Sequence, residues 1–133
     1  MGFRGIAVAI AIAGLVPACG GVVTPSDNDV RTASGTFEVG GAGPVHDFSA
    51  SRNGEFFITL TSLSPDSAAT IAMSWGQRNA GGCGLISTVP AVVNRQALGG
   101  RIDKGDYCVQ VSDAGLVPPL SGTQTYTLRL SVP

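Results

Sequence analysis

Charge is scarce in this chain. Eight Lys and Arg and nine Asp and Glu among 133 residues leave a net charge of −1. No basic stripe argues for nucleic acid as a partner, and no polybasic cluster suggests electrostatic attachment to anionic lipid. Histidine occurs once, at His46, tryptophan once, at Trp75, and cysteine at 19, 83 and 108. One histidine and two distant cysteines do not make a zinc set. No Gly-x-Ser-x-Gly elbow is present, so the nucleophile turn of one large hydrolase class is missing. No stretch after residue 33 carries a 3.6-residue apolar stripe, which argues against a helical domain. The longest apolar run, Ile6 to Val16, falls short of the about 20 residues needed to cross a bilayer.

That run has another use. Arg4 is the sole charge before Asp27, and every residue from Ile6 to Val16 is Ile, Ala, Val, Gly or Leu. A basic start followed by a short apolar core is the layout of an export signal. Residues 1–18 are therefore read as a signal helix, and the run ends in Val16-Pro17-Ala18-Cys19. This tetrad resembles the lipobox of bacterial lipoproteins. The resemblance implies cleavage between Ala18 and Cys19, lipid on the Cys19 thiol and an acylated amino group such as a palmitoyl amide. Each buried methylene contributes about 0.8 kcal/mol, so two or three chains hold a protein to a membrane where one holds marginally. An ordinary signal cut after Ala18 would instead leave a free thiol. With Gly20 rather than Asp behind the cysteine, the outer membrane is the favoured location in a cell with two. Three cysteines is an odd count for an exported chain. With Cys19 assigned to lipid, Cys83 and Cys108 remain to pair with each other, tying the strand around Cys108 to the glycine-rich loop 81–84.

Residues 19–33 read as the lipidated N-terminus and a flexible tether, and 34–133 as one domain. In the latter the period is two. Phe56, Ile58 and Leu60 alternate with Phe57, Thr59 and Thr61; the same holds for Ile71, Met73 and Trp75, for Tyr107, Val109 and Val111, and for Tyr126, Leu128, Leu130 and Val132. Such alternation marks strands with one buried face. Shorter candidates lie at 35–40, 45–50, 84–90 and 95–102, separated by turn residues such as Gly40 to Pro44 and Asp103 to Asp106. About eight short strands with these breakers predict an all-β sandwich with jelly-roll or Greek-key connections.

The phrases Gly35 to Phe37, His46 to Phe48, Gly54 to Leu60, Gly105 to Asp113 and Tyr126 to Val132 resemble the bacterial pre-peptidase C-terminal domain family. The resemblance implies a small jelly-roll-like sandwich of the kind appended to secreted enzymes. This chain differs in having no catalytic domain beside it. Some relatives of that fold bind calcium near the N-terminal linker, which implies Asp27 and Asp29 as candidate ligands.

The remaining candidates are weighed on chemistry. His46 is followed by Asp47, but neighbouring strand residues point to opposite faces, so this is a poor catalytic pair. Asp103 and Asp106 could serve calcium, although Asp at a tight turn needs no metal. Calcium is thus the one cofactor left open. Trp75 fits either the core or an exposed sugar-stacking platform, and Arg78 and Asn79 follow it in a glycine-bounded loop suited to a ligand. Gly40, Gly41 and Gly43 precede a proline and a strand, not the helix a phosphate cradle needs. The function this predicts is a non-catalytic, lipid-anchored envelope or surface module that binds protein or polysaccharide. The alternatives are a structural envelope protein without a small ligand, or a small exported hydrolase using His46.

Overall fold

The computed structural model describes residues 25–133. The signal segment, Cys19 and the first part of the tether lie outside the described residues. A single 3₁₀ turn, Pro25–Asp27, is followed by eight strands: β1 (Asp29–Phe37), β2 (His46–Ala50), β3 (Gly54–Ser64), β4 (Ile71–Asn79), β5 (Gly82–Ala91), β6 (Arg95–Ile102), β7 (Gly105–Ser112) and β8 (Gln124–Val132). Among the described residues no helix is long and apolar enough to cross a membrane.

The strands form two four-stranded antiparallel sheets, ordered β1-β8-β3-β6 and β2-β7-β4-β5. Except at the β4–β5 hairpin, each connection passes from one sheet to the other. This is the jelly-roll arrangement of two Greek keys. Its cause is the period-two pattern. Phe56, Ile58 and Leu60 of β3, Ile71 and Met73 of β4, Val109 and Val111 of β7, and Tyr126, Leu128 and Leu130 of β8 are all buried between the sheets. Each such side chain contributes about 1.5–3 kcal/mol on burial, and their polar neighbours face outward.

The fold begins earlier than the alternation suggests. β1 starts at Asp29 and pairs with β8 from Asp29↔Val132 to Phe37↔Gln124, so residues 29–33 belong to the sandwich and not to the tether. As the edge of its sheet, β1 is exposed along Asp29 to Thr32, and no apolar alternation marks it there.

The disulfide Cys83–Cys108 is formed, with Cα atoms 5.9 Å apart. Cys83 is in strand β5, where a loop was expected, and Cys108 is in β7. Strand β4 lies between them. Adjacent strands are about 4.8 Å apart, so strands either side of a third should be roughly 9–10 Å apart. The gap closes because β5 curls over the outer face of β4. The register slips between Trp75 and Gly76, leaving Ile86 as the extra residue. At Gly76 a Cβ would stand 1.9 Å from the Gly84 carbonyl oxygen, so only glycine lets the β5 backbone cross there. The crossing also explains Cys108, which faces away from the core yet is fully buried.

Two outcomes follow from this crossing. Replacing Cys83 and Cys108 together by alanine should lower the unfolding free energy by roughly 2–4 kcal/mol and keep the fold, read from urea transitions. Gly76→Ala should push β5 off β4 and leave Cys83 and Cys108 as free thiols open to alkylation, whereas in the native protein the two are joined and neither alkylates.

Candidate functional site

Two places in the sandwich gather polar or accessible groups. The first is His46. Its Nε2 and the Tyr126 hydroxyl are 2.7 Å apart, and the two rings meet edge to face at 5.8 Å. The contact joins β2 of one sheet to β8 of the other. Tyr126 is fully buried, and a Cβ on Gly35 would lie 2.7 Å from its oxygen, so the hydroxyl occupies the space a side chain there would take. Burial pushes the Tyr126 phenol up to about 12. Burial also holds His46 below its usual value, with partial opposition from the Asp47 charge. Asp47 faces outward, where its carboxylate meets Arg78 at 3.4 Å. The histidine ring therefore has a phenol as its partner, and its sequence neighbour is engaged elsewhere.

The second place is the end of the sandwich where β3 leads to β4 and β7 leads to β8. Residues 65–70, Asp113 and residues 116–120 line a cleft of about 550 Å³ there. Pro65, Ala69, Leu116, Val117, Pro118 and Leu120 give it apolar walls. Val117 is 94% exposed and Leu116 53%, although both are large apolar residues. The loops that carry them are tied down. The Asp66 carboxylate accepts the Ser121 N–H and hydroxyl, each at 2.7 Å, and the Gln124 side-chain amide at 2.8 Å. The Asp66 N–H returns a bond to Gln124 Oε1 at 3.0 Å. Gln124, which begins β8, is completely buried and thereby satisfied. On the far wall, Asp113 accepts the Gly115 N–H at 2.8 Å and the Gly40 N–H at 2.7 Å. The Ser121 N–H, with the Ser121 hydroxyl and Gln124 behind it, holds Asp66 below the usual carboxylate range. The Gly115 and Gly40 N–H groups do the same for Asp113. Both remain ionised at neutral pH.

The sequence-level candidates are distributed elsewhere. Trp75 is half-buried, its ring 5.0 Å from Phe56 and 6.0 Å from Tyr107, so it packs at the rim of the core and is no flat exposed platform. Arg78 is paired with Asp47, and Asn79 accepts the Gly81 N–H at 3.0 Å within its hairpin. Neither reaches the cleft. The carboxylates read as calcium candidates are not assembled: the Asp27 carbonyl accepts a bond from Arg52 at 2.7 Å, Asp29 lies 3.9 Å from Arg31, the Asp103 carbonyl accepts the Tyr107 hydroxyl at 2.8 Å, and Asp106 accepts the Ser49 hydroxyl at 2.7 Å. Among the described residues no three His, Cys, Asp or Glu side chains come together to hold a metal ion. The cleft residues Asp66, Asp113, Leu116 and Val117 carried one signal in sequence, large apolar residues beside Pro118-Pro119 and outside any period-two run.

His46 sets a pH dependence. Its charged form is disfavoured in the fold, so the unfolded chain binds the proton more tightly. The stability this provides is complete above the ordinary value of 6.5 and is lost as pH falls below it. Urea midpoints should drop between about pH 7.5 and 5.5 in the native protein and drop less in His46→Gln. Equal slopes would contradict the burial assigned to His46.

No protein-family profile matches the chain, and no curated protein is similar to it in sequence. Among solved structures it is similar to the Yersinia pseudotuberculosis-derived mitogen, 16% identical with a TM-score of 0.50, over 80% of this chain and 87% of that one. It is also similar to the pre-peptidase C-terminal domain of a Bacillus anthracis collagenase, 14% identical with a TM-score of 0.48, over 77% of this chain and 88% of that one. At these identities, what the chain shares with the mitogen is its fold.

Proposed function

We propose that this chain is an exported, lipid-anchored, non-catalytic binding module whose loop-end cleft faces away from the membrane. The observation that carries the reading is the cleft itself, an accessible volume of ligand-site size with Leu116 and Val117 exposed on loops fixed by internal hydrogen bonds. Exposed apolar side chains on an ordered rim are a feature of interaction sites. The disulfide supports an oxidising compartment, in keeping with an export signal at residues 1–18. The His46–Tyr126 contact supports a structural role for the histidine, against the hydrolase alternative.

β1 runs from Asp29, beside Val132, to Phe37, beside Gln124, so the N-terminal end and the cleft end are opposite poles of the sandwich. With lipid on Cys19, residues 20–24 would span at most roughly 15–20 Å. The domain would sit close to the bilayer with its cleft outermost, about 30 Å further out along β8.

Three measurements test this. The mature protein should carry a lipid-modified Cys19 at its N-terminus by mass spectrometry; an unmodified thiol there contradicts the anchor. Binding on an array of peptides and oligosaccharides should vanish in the Leu116→Asp, Val117→Asp double variant while the melting temperature stays within a few degrees. Binding that survives the double variant places the site elsewhere, and a turnover lost in His46→Ala contradicts the non-catalytic reading.

A further inference from the structure

The chemistry of the cleft walls narrows what can enter, taking as its basis the cleft as binding face. Two strong features of polysaccharide sites are an aromatic face for stacking and, for acidic chains, basic side chains. The lining residues include no aromatic and no Lys or Arg. They include two carboxylates, Asp66 and Asp113, one from each loop, with proline, leucine, valine and alanine between them. The carboxylates are not free to swing. Asp66 is fixed by Ser121 and Gln124, and Asp113 by Gly40 and Gly115, so their charges are set in place before a ligand arrives. Internal donors occupy one site on Asp66 Oδ1 and on each oxygen of Asp113, and two on Asp66 Oδ2. A carboxylate oxygen offers two acceptor sites, so capacity remains on three of the four.

A cleft of mixed lining, with apolar side chains beside Ser67 and Thr70, a fixed negative charge on each wall and no positive one, is complementary to a chain with small apolar residues around one cationic point. We infer that the cleft takes an extended protein segment in which a Lys or Arg stands among small apolar residues. Its ammonium or guanidinium meets Asp66 or Asp113, and its apolar flanks cover Leu116, Val117 and Leu120. The charge selects among segments, and the apolar contact supplies most of the affinity.

The test uses fluorescein-labelled peptides of about eight residues, Leu, Pro and Ala throughout except for a central Lys, Gln or Glu, titrated against the full chain by anisotropy. Labelled maltohexaose and an oligogalacturonate serve as saccharide probes. The Lys peptide should bind about three- to tenfold tighter than the Gln peptide, with the Glu peptide weakest, and the spread should shrink at about 0.5 M salt. Ser67→Lys puts a cation on the rim without touching the Asp66 bonds and should reverse the order of the Lys and Glu peptides. Equal binding of the three peptides, or an order that Ser67→Lys leaves unchanged, overturns the inference. A saccharide that binds, loses binding in the Leu116→Asp, Val117→Asp variant and outcompetes every peptide overturns it too, while the cleft stands as the site. If no probe responds to that variant, the cleft is not the binding face and both readings fall.

Discussion

The side chain of Gln124 is the contact on which the accessible end of this molecule depends. It begins the strand that sits beside both β1 and β3, it is wholly buried, and its amide is shared between the carboxylate of Asp66 and the carbonyl of Gly122. An unsatisfied amide at that depth would cost on the order of 1–3 kcal/mol. The bonds to Asp66 remove that cost and, in doing so, pin the β3–β4 loop to the base of the β7–β8 loop. Two segments about 50 residues apart thereby become one wall-and-floor unit. Leu116 and Val117 project from it into solvent because the loop that carries them is held at its base and not pulled into the core.

The opposite end is organised by a different device. At Gly76 the β5 backbone passes over β4, and the disulfide between Cys83 and Cys108 locks that crossing across three strands. Glycine makes the approach sterically allowed, and the covalent bond removes conformations from the unfolded chain. The sandwich thus has one pole fixed by a cross-link and one by a polar cluster. Between them the two sheets are joined by an apolar core and by the polar contact of His46 with Tyr126. β1 enters at the cross-linked pole, so an N-terminus anchored as proposed would leave the polar pole free for a partner.

Strands β3, β4, β7 and β8 were legible because the residues that alternate are large, and the other four because turn residues bound them. Phe56, Ile58 and Leu60, or Tyr126, Leu128 and Leu130, announce a buried face through side-chain volume alone. β1 was legible only from residue 35, since Asp29 to Thr32 lie on an exposed edge and need no apolar pattern to pair with β8. Cys83 read as a loop residue because Gly81, Gly82 and Gly84 surround it, yet those glycines serve a strand that must curl. Trp75 kept the register of Ile71 and Met73, and its ring does pack on core aromatics. The cleft was not legible in outline. Its anchor joins Asp66 to Gln124 across 58 positions, and no local pattern encodes a side-chain bond at that separation. What sequence did offer was the oddity of Leu116 and Val117 between a glycine and two prolines.

The proposed binding face is a cleft held in place before any partner arrives. Backbone order parameters report this directly. In the free protein, the backbone N–H groups of residues 66–70, 113–117, 120 and 121 should have values near those of the strands, about 0.85, with the Asp66 and Ser121 amides slow to exchange with solvent. Values below about 0.6 across 113–121, with those two amides exchanging freely, would mean that the walls form only on binding, and would contradict the preformed site.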